Sequence, residues 1–164
     1  MNKLFLSIFV VCFCTMSGAY GQYYRNAIGL RLIWGIGGTL KHFVDEKSAL
    51  EGILHYRSYS NSNSNWNFIR VSGIYQVHDT LEEVWDGLAW YYGLGGFLGF
   101  WGGDYIGNIK GDNTYLGITG AIGLDFAFFN LPVNLSLDWT PYVTLSGGGG
   151  FTGKAGGLAL RYIF

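Results

Sequence analysis

Leu116-Gly117-Ile118-Thr119-Gly120-Ala121-Ile122-Gly123-Leu124-Asp125-Phe126-Ala127-Phe128 is the stretch on which the fold turns. Leu116, Ile118, Ile122, Leu124, Phe126 and Phe128 share one parity; Gly117, Thr119, Ala121, Gly123, Asp125 and Ala127 share the other. A period of two is that of a strand with unlike faces, and a helix would repeat every 3.6 residues. The pattern recurs on both sides. Val133, Leu135, Leu137 and Trp139 alternate with Asn134, Ser136 and Asp138. Leu158, Leu160, Tyr162 and Phe164 alternate with Ala159, Arg161 and Ile163. Leu88, Trp90, Tyr92, Leu94, Leu98 and Phe100 alternate with a face rich in glycine. Residues 87–103 are apolar enough to suggest a spanning helix, but seven of them are glycine. Each would cost about 1 kcal/mol in a helix interior, whereas a strand with a crowded face accommodates them.

Composition agrees. Charged residues are 13% of the 164-residue chain and aromatics 18%, with 27 glycines and 2 prolines. So many aromatics exclude disorder. So little Ala, Glu and Lys disfavours a helical bundle. A net charge of −1 gives no footprint for nucleic acid.

Residues 1–21 form an address. Lys3 precedes the apolar run Leu4–Thr15, and Ala19-Tyr20-Gly21 supplies small residues before a cut at Gln22. This is a secretory signal peptide, too short to span as a helix. Cys12 and Cys14 both lie within it, so residues 22–164 hold no cysteine. Neither follows a small residue, which argues against lipidation. Loss of Lys3 takes the net charge from −1 to −2.

Breakers and alternation place strands near 24–34, 38–44, 49–58, 67–77, 87–101, 114–128, 133–144 and 155–164. Tyr59–Trp66, with its alternating Ser and Asn, and Gly102–Asn113 read as long connections; Ser146–Lys154 reads as a glycine-rich loop. A single bent strand over 24–44 would leave seven strands. Eight returns both termini to one side, as single-chain outer-membrane barrels require. The predicted class is all-β: an eight-stranded antiparallel up-and-down transmembrane barrel over residues 22–164.

The face assignment carries the function class. A soluble barrel turns its apolar face inward. Here one face is large and apolar while the other mixes glycine with Arg31, Glu51, Arg57, Arg70, Asp125, Asp138 and Arg161. In a bilayer the apolar face meets lipid and the charged face fills the lumen. Asp138 with Arg161, and Glu51 with Arg70 and Arg57, are expected inward on neighbouring strands as a structural ion network. Aromatic girdles are expected from Tyr24, Trp90, Phe126, Phe128, Tyr162 and Phe164 at one end and Trp34, Tyr56 and Phe100 at the other.

The last strand, with Leu158, Leu160, Tyr162 and terminal Phe164 on one parity, resembles the signal read by the bacterial barrel-assembly machinery. Residues 26–164 resemble small outer-membrane barrels of the OmpA-like type, especially those of Bacteroidetes-like bacteria. Three stretches carry the likeness: Gly37–Phe43 running through Asp45-Glu46-Lys47 into Ser48–Gly52, Leu131–Trp139, and Leu158–Phe164. The resemblance implies a monomer in the outer membrane, with the lipid bilayer and the assembly machinery as partners. It implies little about activity, since such barrels serve as wall anchors, adhesins, small pores or proteins of unknown role. No wall-binding domain follows the barrel, so anchoring is not expected.

No catalytic, cofactor or metal site is expected. His42, His55 and His78 lack metal-ligand spacing. Ser146-Gly147-Gly148-Gly149-Gly150 lacks the Lys and following helix of a phosphate cradle. A lipid-modifying enzyme would need a base beside a nucleophile at the outer rim. His42 and His78 fall near the periplasmic rim instead, away from Ser60, Ser62, Ser64 and Asp104 in the outer loops. The expected role is structural or surface-interacting, with the outer loops as candidate binding surfaces. The alternatives are a lipid-modifying enzyme, a small-solute pore, and a secreted soluble β-barrel that binds a ligand.

Overall fold

The computed structural model describes residues 24–32, 35–61, 64–104, 114–146 and 150–164. The strands are β1 (Asn26–Leu32), β2 (Ile36–Phe43), β3 (Ser48–Asn61), β4 (Ser64–Thr80), β5 (Leu88–Asp104), β6 (Thr114–Ala127), β7 (Val133–Trp139), β8 (Tyr142–Ser146), β9 (Gly150–Thr152) and β10 (Gly156–Ile163). From β1 to β7 each strand pairs antiparallel with the next, and β1 closes on β10 from Ala27↔Ile163 to Leu32↔Leu158. The ten segments make eight staves. Both β7 and β8 pair with β6, as one stave broken at Thr140-Pro141. β9 and β10 form the next, pairing with β8 and β7. The fold is an eight-stranded closed antiparallel barrel. β1 and β2 pair with each other, so the seven-strand alternative fails.

Pro141 accounts for the break in the seventh stave. It has no N–H to give a ladder and falls at the gap. Its carbonyl accepts instead from Gly120 N at 2.9 Å, and Thr140 N donates to Ala155 O at 3.0 Å.

Both described termini lie at one end of the barrel, here called the terminal end, with the turns 44–47, 81–87 and 128–132. In the first turn Asp45 Oδ1 accepts from the backbone N–H of Lys47 (2.9 Å) and Ser48 (2.7 Å). The second turn needs a glycine. Gly87 has φ +87°, and a Cβ there would collide with the Ala127 carbonyl.

The other, distal, end differs from expectation. Tyr59–Trp66 is not a long loop: β3 and β4 stay paired through Tyr59↔Trp66, Ser60↔Asn65 and Asn61↔Ser64. At this hairpin strand length, not a long loop, extends the distal end. Ile36, the first residue of β2, pairs with Tyr56, and β3 continues to Asn61. Five further residues carry β3 about 17 Å along the strand beyond the level of Ile36, at about 3.3 Å per residue. Ser146–Lys154 likewise contains a strand, β9. Most of Gly102–Asn113, from 105 on, lies outside the described residues.

The two faces separate as parity predicts. In β2 the buried residues are Gly37, Thr39, Lys41 and Phe43, and the exposed ones Ile36, Gly38, Leu40 and His42. Leu30, Leu54, Leu94, Leu137 and Leu160 all stand outward and exposed. Glycine serves the crowded inner face. At Gly99 a Cβ would fall within the Tyr115 ring. Tyr24 departs from its expected outward place: it turns inward, 7% exposed, onto Phe43 and Asp125. It precedes β1, so strand parity does not govern it. Trp34 lies outside the described residues.

Candidate functional site

Period-two alternation delivers one charged residue to the middle of the lumen from each of six staves. β2 supplies Lys41, β6 Asp125, β10 Arg161, β3 Glu51, β1 Arg31 and β7 Asp138. They form one chain of alternating charge. Lys41 Nζ lies 3.1 Å from Asp125 Oδ1, and Arg161 Nη1 is 3.8 Å from that same oxygen. Arg161 Nη2 donates to Glu51 Oε1, and Arg31 Nη1 stands 3.8 Å from Glu51. Arg31 Nη2 ends the chain on Asp138. Three cations face three carboxylates, so the network is neutral.

Neutral side chains complete the shell. Thr39 Oγ1 donates to Glu51 Oε1 at 2.5 Å, and Gln76 Nε2 donates to Glu51 Oε2. Arg161 Nη1 donates to Asn134 at 2.9 Å and to Ser136 at 2.8 Å. Tyr91 Oη donates to Asp138 at 2.5 Å, and Tyr24 Oη to Asp125 at 2.6 Å. β4 and β5 thus join through Gln76 and Tyr91, and all eight staves are stitched together across the lumen. Such charges must be paired and hydrogen-bonded to be buried at all. Here Arg31, Lys41, Glu51, Gln76 and Arg161 are each 2% exposed or less. The middle of the barrel is a side-chain plug, as eight staves leave room for little else.

Toward the terminal end the plug becomes aromatic. His78 stacks on Tyr91 at 4.9 Å and touches Phe43 at 4.8 Å, and its Nε2 is 3.4 Å from Lys41 Nζ. Lys41 also sits over the Tyr91 ring, 4.6 Å from its centre. Below them opens a cavity of about 210 Å³ lined by Tyr24, Phe43, His78, Asp125 and the rim residues Lys47 and Glu82. Among the described residues no three His, Cys, Asp or Glu side chains gather as metal ligands.

Toward the distal end the character changes. Arg70 pairs in register with Gly99 on one side and His55 on the other. Its guanidinium lies 5.4 Å from the Phe97 ring centre and 5.0 Å from that of Tyr142. Arg57 stands two residues beyond His55 on β3, at an open cavity of about 390 Å³ shared with Gly35, Ile36, Tyr56 and Ser58.

Of the seven lumen residues singled out in the sequence, Arg31, Glu51, Asp125, Asp138 and Arg161 come together in the plug. Arg57 and Arg70 do not; they stand apart in the distal half. The pairing also differs from simple adjacency. Asp138 meets Arg31 rather than Arg161, and Glu51 meets Arg161 rather than Arg70. Adjacent staves are not the only partners, because a long guanidinium reaches across a narrow lumen. Sequence reasoning missed Lys41, which is fully buried, and with it Thr39, Gln76 and Tyr91. Lys41 shares parity with Gly37, Thr39 and Phe43, which was its available signal.

Comparison with protein-family models, with characterised proteins and with solved structures gives no significant match. The fold therefore rests on the strand pairing, and the reading of function rests on the distribution of side chains.

Proposed function

We infer that the chain is an integral outer-membrane β-barrel of the OmpA-like type, exported by its N-terminal signal, with a structural or surface-interaction role and no catalysis. One observation carries this reading: a closed barrel with charge inside and a continuous apolar face outside. Leu94 is 67% exposed, Leu30 62% and Leu160 56%, while Arg161 and Glu51 are each 1% exposed. Water would penalise such a surface; hydrocarbon favours it, and closure leaves no unpaired strand edge in lipid. The dimensions agree. Trp90 to Phe100 spans ten steps of β5, about 33 Å along the strand. At the usual tilt near 40° this is about 25 Å of height, that of the apolar band of such barrels. The acidic turn residues Glu46, Glu82, Glu83 and Asp86 lie beyond that band at the terminal end, which this reading sets in the periplasm. The aromatic-ended β10 is the segment offered to the assembly machinery, and the product is a monomer. The plug favours a non-conducting role over a pore.

The chain after residue 21 has no cysteine, so single introduced thiols report cleanly. In washed membranes, a water-soluble maleimide is expected to label Glu83→Cys at least about tenfold faster than Leu94→Cys, because thiols in lipid do not meet the reagent. Equal rates in the folded protein would overturn the membrane reading, since both positions are exposed on the isolated barrel.

A further inference from the structure

A barrel closed at its middle still has an open edge at its distal end. β2 begins at Ile36, opposite Tyr56, while β3 runs on to Asn61. Three residues join Leu32 to Ile36, and those two pair with each other, so the hairpin has no length left to follow β3 further. Among the described residues, β3 from Ser58 to Asn61 is therefore bonded on one side alone, to β4. On the other flank of the same hairpin, β9 pairs among the described residues with β8 alone.

The register says which backbone groups face this gap. Successive residues of a strand direct their N–H and C=O to opposite neighbours. The Lys47 carbonyl accepts from His78 N on the β4 side. The carbonyls of Leu54 and Tyr56 face β2, since a Cβ at Gly37 would lie 3.0 Å from the first and one at Gly35 2.8 Å from the second. Odd residues of β3 thus bond to β4 and even ones turn toward β2, with no register shift from Ser48 to Asn61. Ser58 and Ser60 present their N–H and C=O to the gap.

The chemistry of the occupant follows. A row of alternating donors and acceptors is matched by another extended backbone. A residue placed opposite Ser58 would share its outward face. Its side chain would meet the open cavity of about 390 Å³ that Ser58 lines with Ile36 and Tyr56, both exposed. That position suits an apolar or β-branched side chain. We propose that the distal edge of β3 captures an extended peptide segment of another protein, added as a strand beside Ser58 and Ser60. The proposal rests on the barrel and not on the membrane reading.

The test follows amide hydrogen exchange in the full folded chain. The probe is a capped peptide of alternating threonine and valine with a glutamate at each end. In the protein alone, the amides of Ser58 and Ser60 are expected to exchange at least about tenfold faster than those of Arg57 and Tyr59, which bond to β4. Saturating peptide is expected to slow Ser58 and Ser60 by about tenfold and to leave Arg57 and Tyr59 unchanged. A second arm measures binding of the same peptide, carrying a fluorophore, to a Ser58→Pro, Ser60→Pro variant. Proline there removes the two N–H groups that face the gap and spares the ladder to β4. Binding is expected to weaken at least about tenfold, with the compact unboiled band retained. Should the variant not fold, the exchange arm decides. Exchange at Ser58 and Ser60 that the peptide leaves unchanged overturns the proposal, as does undiminished binding by the folded variant. Protection of both amides without peptide also overturns it: the edge is then covered by a second copy if protection falls on dilution, and by the chain itself if it does not.

Discussion

Arg161 bears on more partners than any other lumen side chain. It touches Glu51, Asn134, Ser136 and Thr39 and stands 3.8 Å from Asp125. Truncating one member of a buried ion pair leaves the other charged and unpaired, at a cost of about 3–5 kcal/mol. Arg161→Ala is therefore expected to destabilise the barrel by that amount, read as an earlier loss of the compact band on heating in detergent. Unchanged melting would mean that the network does not hold the staves. Parity made most of these residues legible. Asp125 and Arg161 stand among small or apolar neighbours on the inner parity, and a charge there must lie in the lumen. Lys41 sits between Leu40 and His42, near a charged turn, and reads as a solvated strand end until the barrel is closed. Tyr24 lies before the first paired residue, where no register fixes its direction.

The hairpins show where local sequence suffices and where it does not. The turn from Phe43 to Ser48 is fixed by Asp45, whose carboxylate accepts the backbone N–H groups of Lys47 and Ser48. Those hydrogen bonds hold its pKa below the ordinary carboxylate range. The sign follows. The folded value is the lower one, so the support is complete above the unfolded value near pH 4 and is lost as pH falls through the folded value. Amide protection factors at Lys47 and Ser48 are expected to fall several-fold on acidification below about pH 4. In Asp45→Ala they should be low at every pH. Protection indifferent to both changes would remove Asp45 from the turn. The neighbouring Lys47–Asp79 pair, at 2.8 Å, is exposed and contributes little. The β3–β4 tip shows the opposite case. Ser and Asn are poor strand formers, so Tyr59–Trp66 reads as a loop. Pairing along the rest of both strands carries the ladder to Asn61↔Ser64 regardless. Pro141, by contrast, marks its interruption openly, yet only the register shows that β7 and β8 belong to one stave.

At the scale of the whole molecule, alternation, stave number and closure were readable because each follows from period two and from returning both ends to one side. The uneven height of the wall was not, since it depends on how far non-local pairing extends. The neutral plug of three cations and three carboxylates at the middle of the lumen is likewise not visible in a net charge of −1. The central claim is that the apolar face is outward because lipid surrounds it. The most direct measurement is membrane fractionation combined with electrophoresis of boiled and unboiled samples. Recovery in the outer-membrane fraction, with an unboiled band migrating apart from the boiled one, is the predicted result. Recovery as a soluble species with no difference in mobility would contradict it.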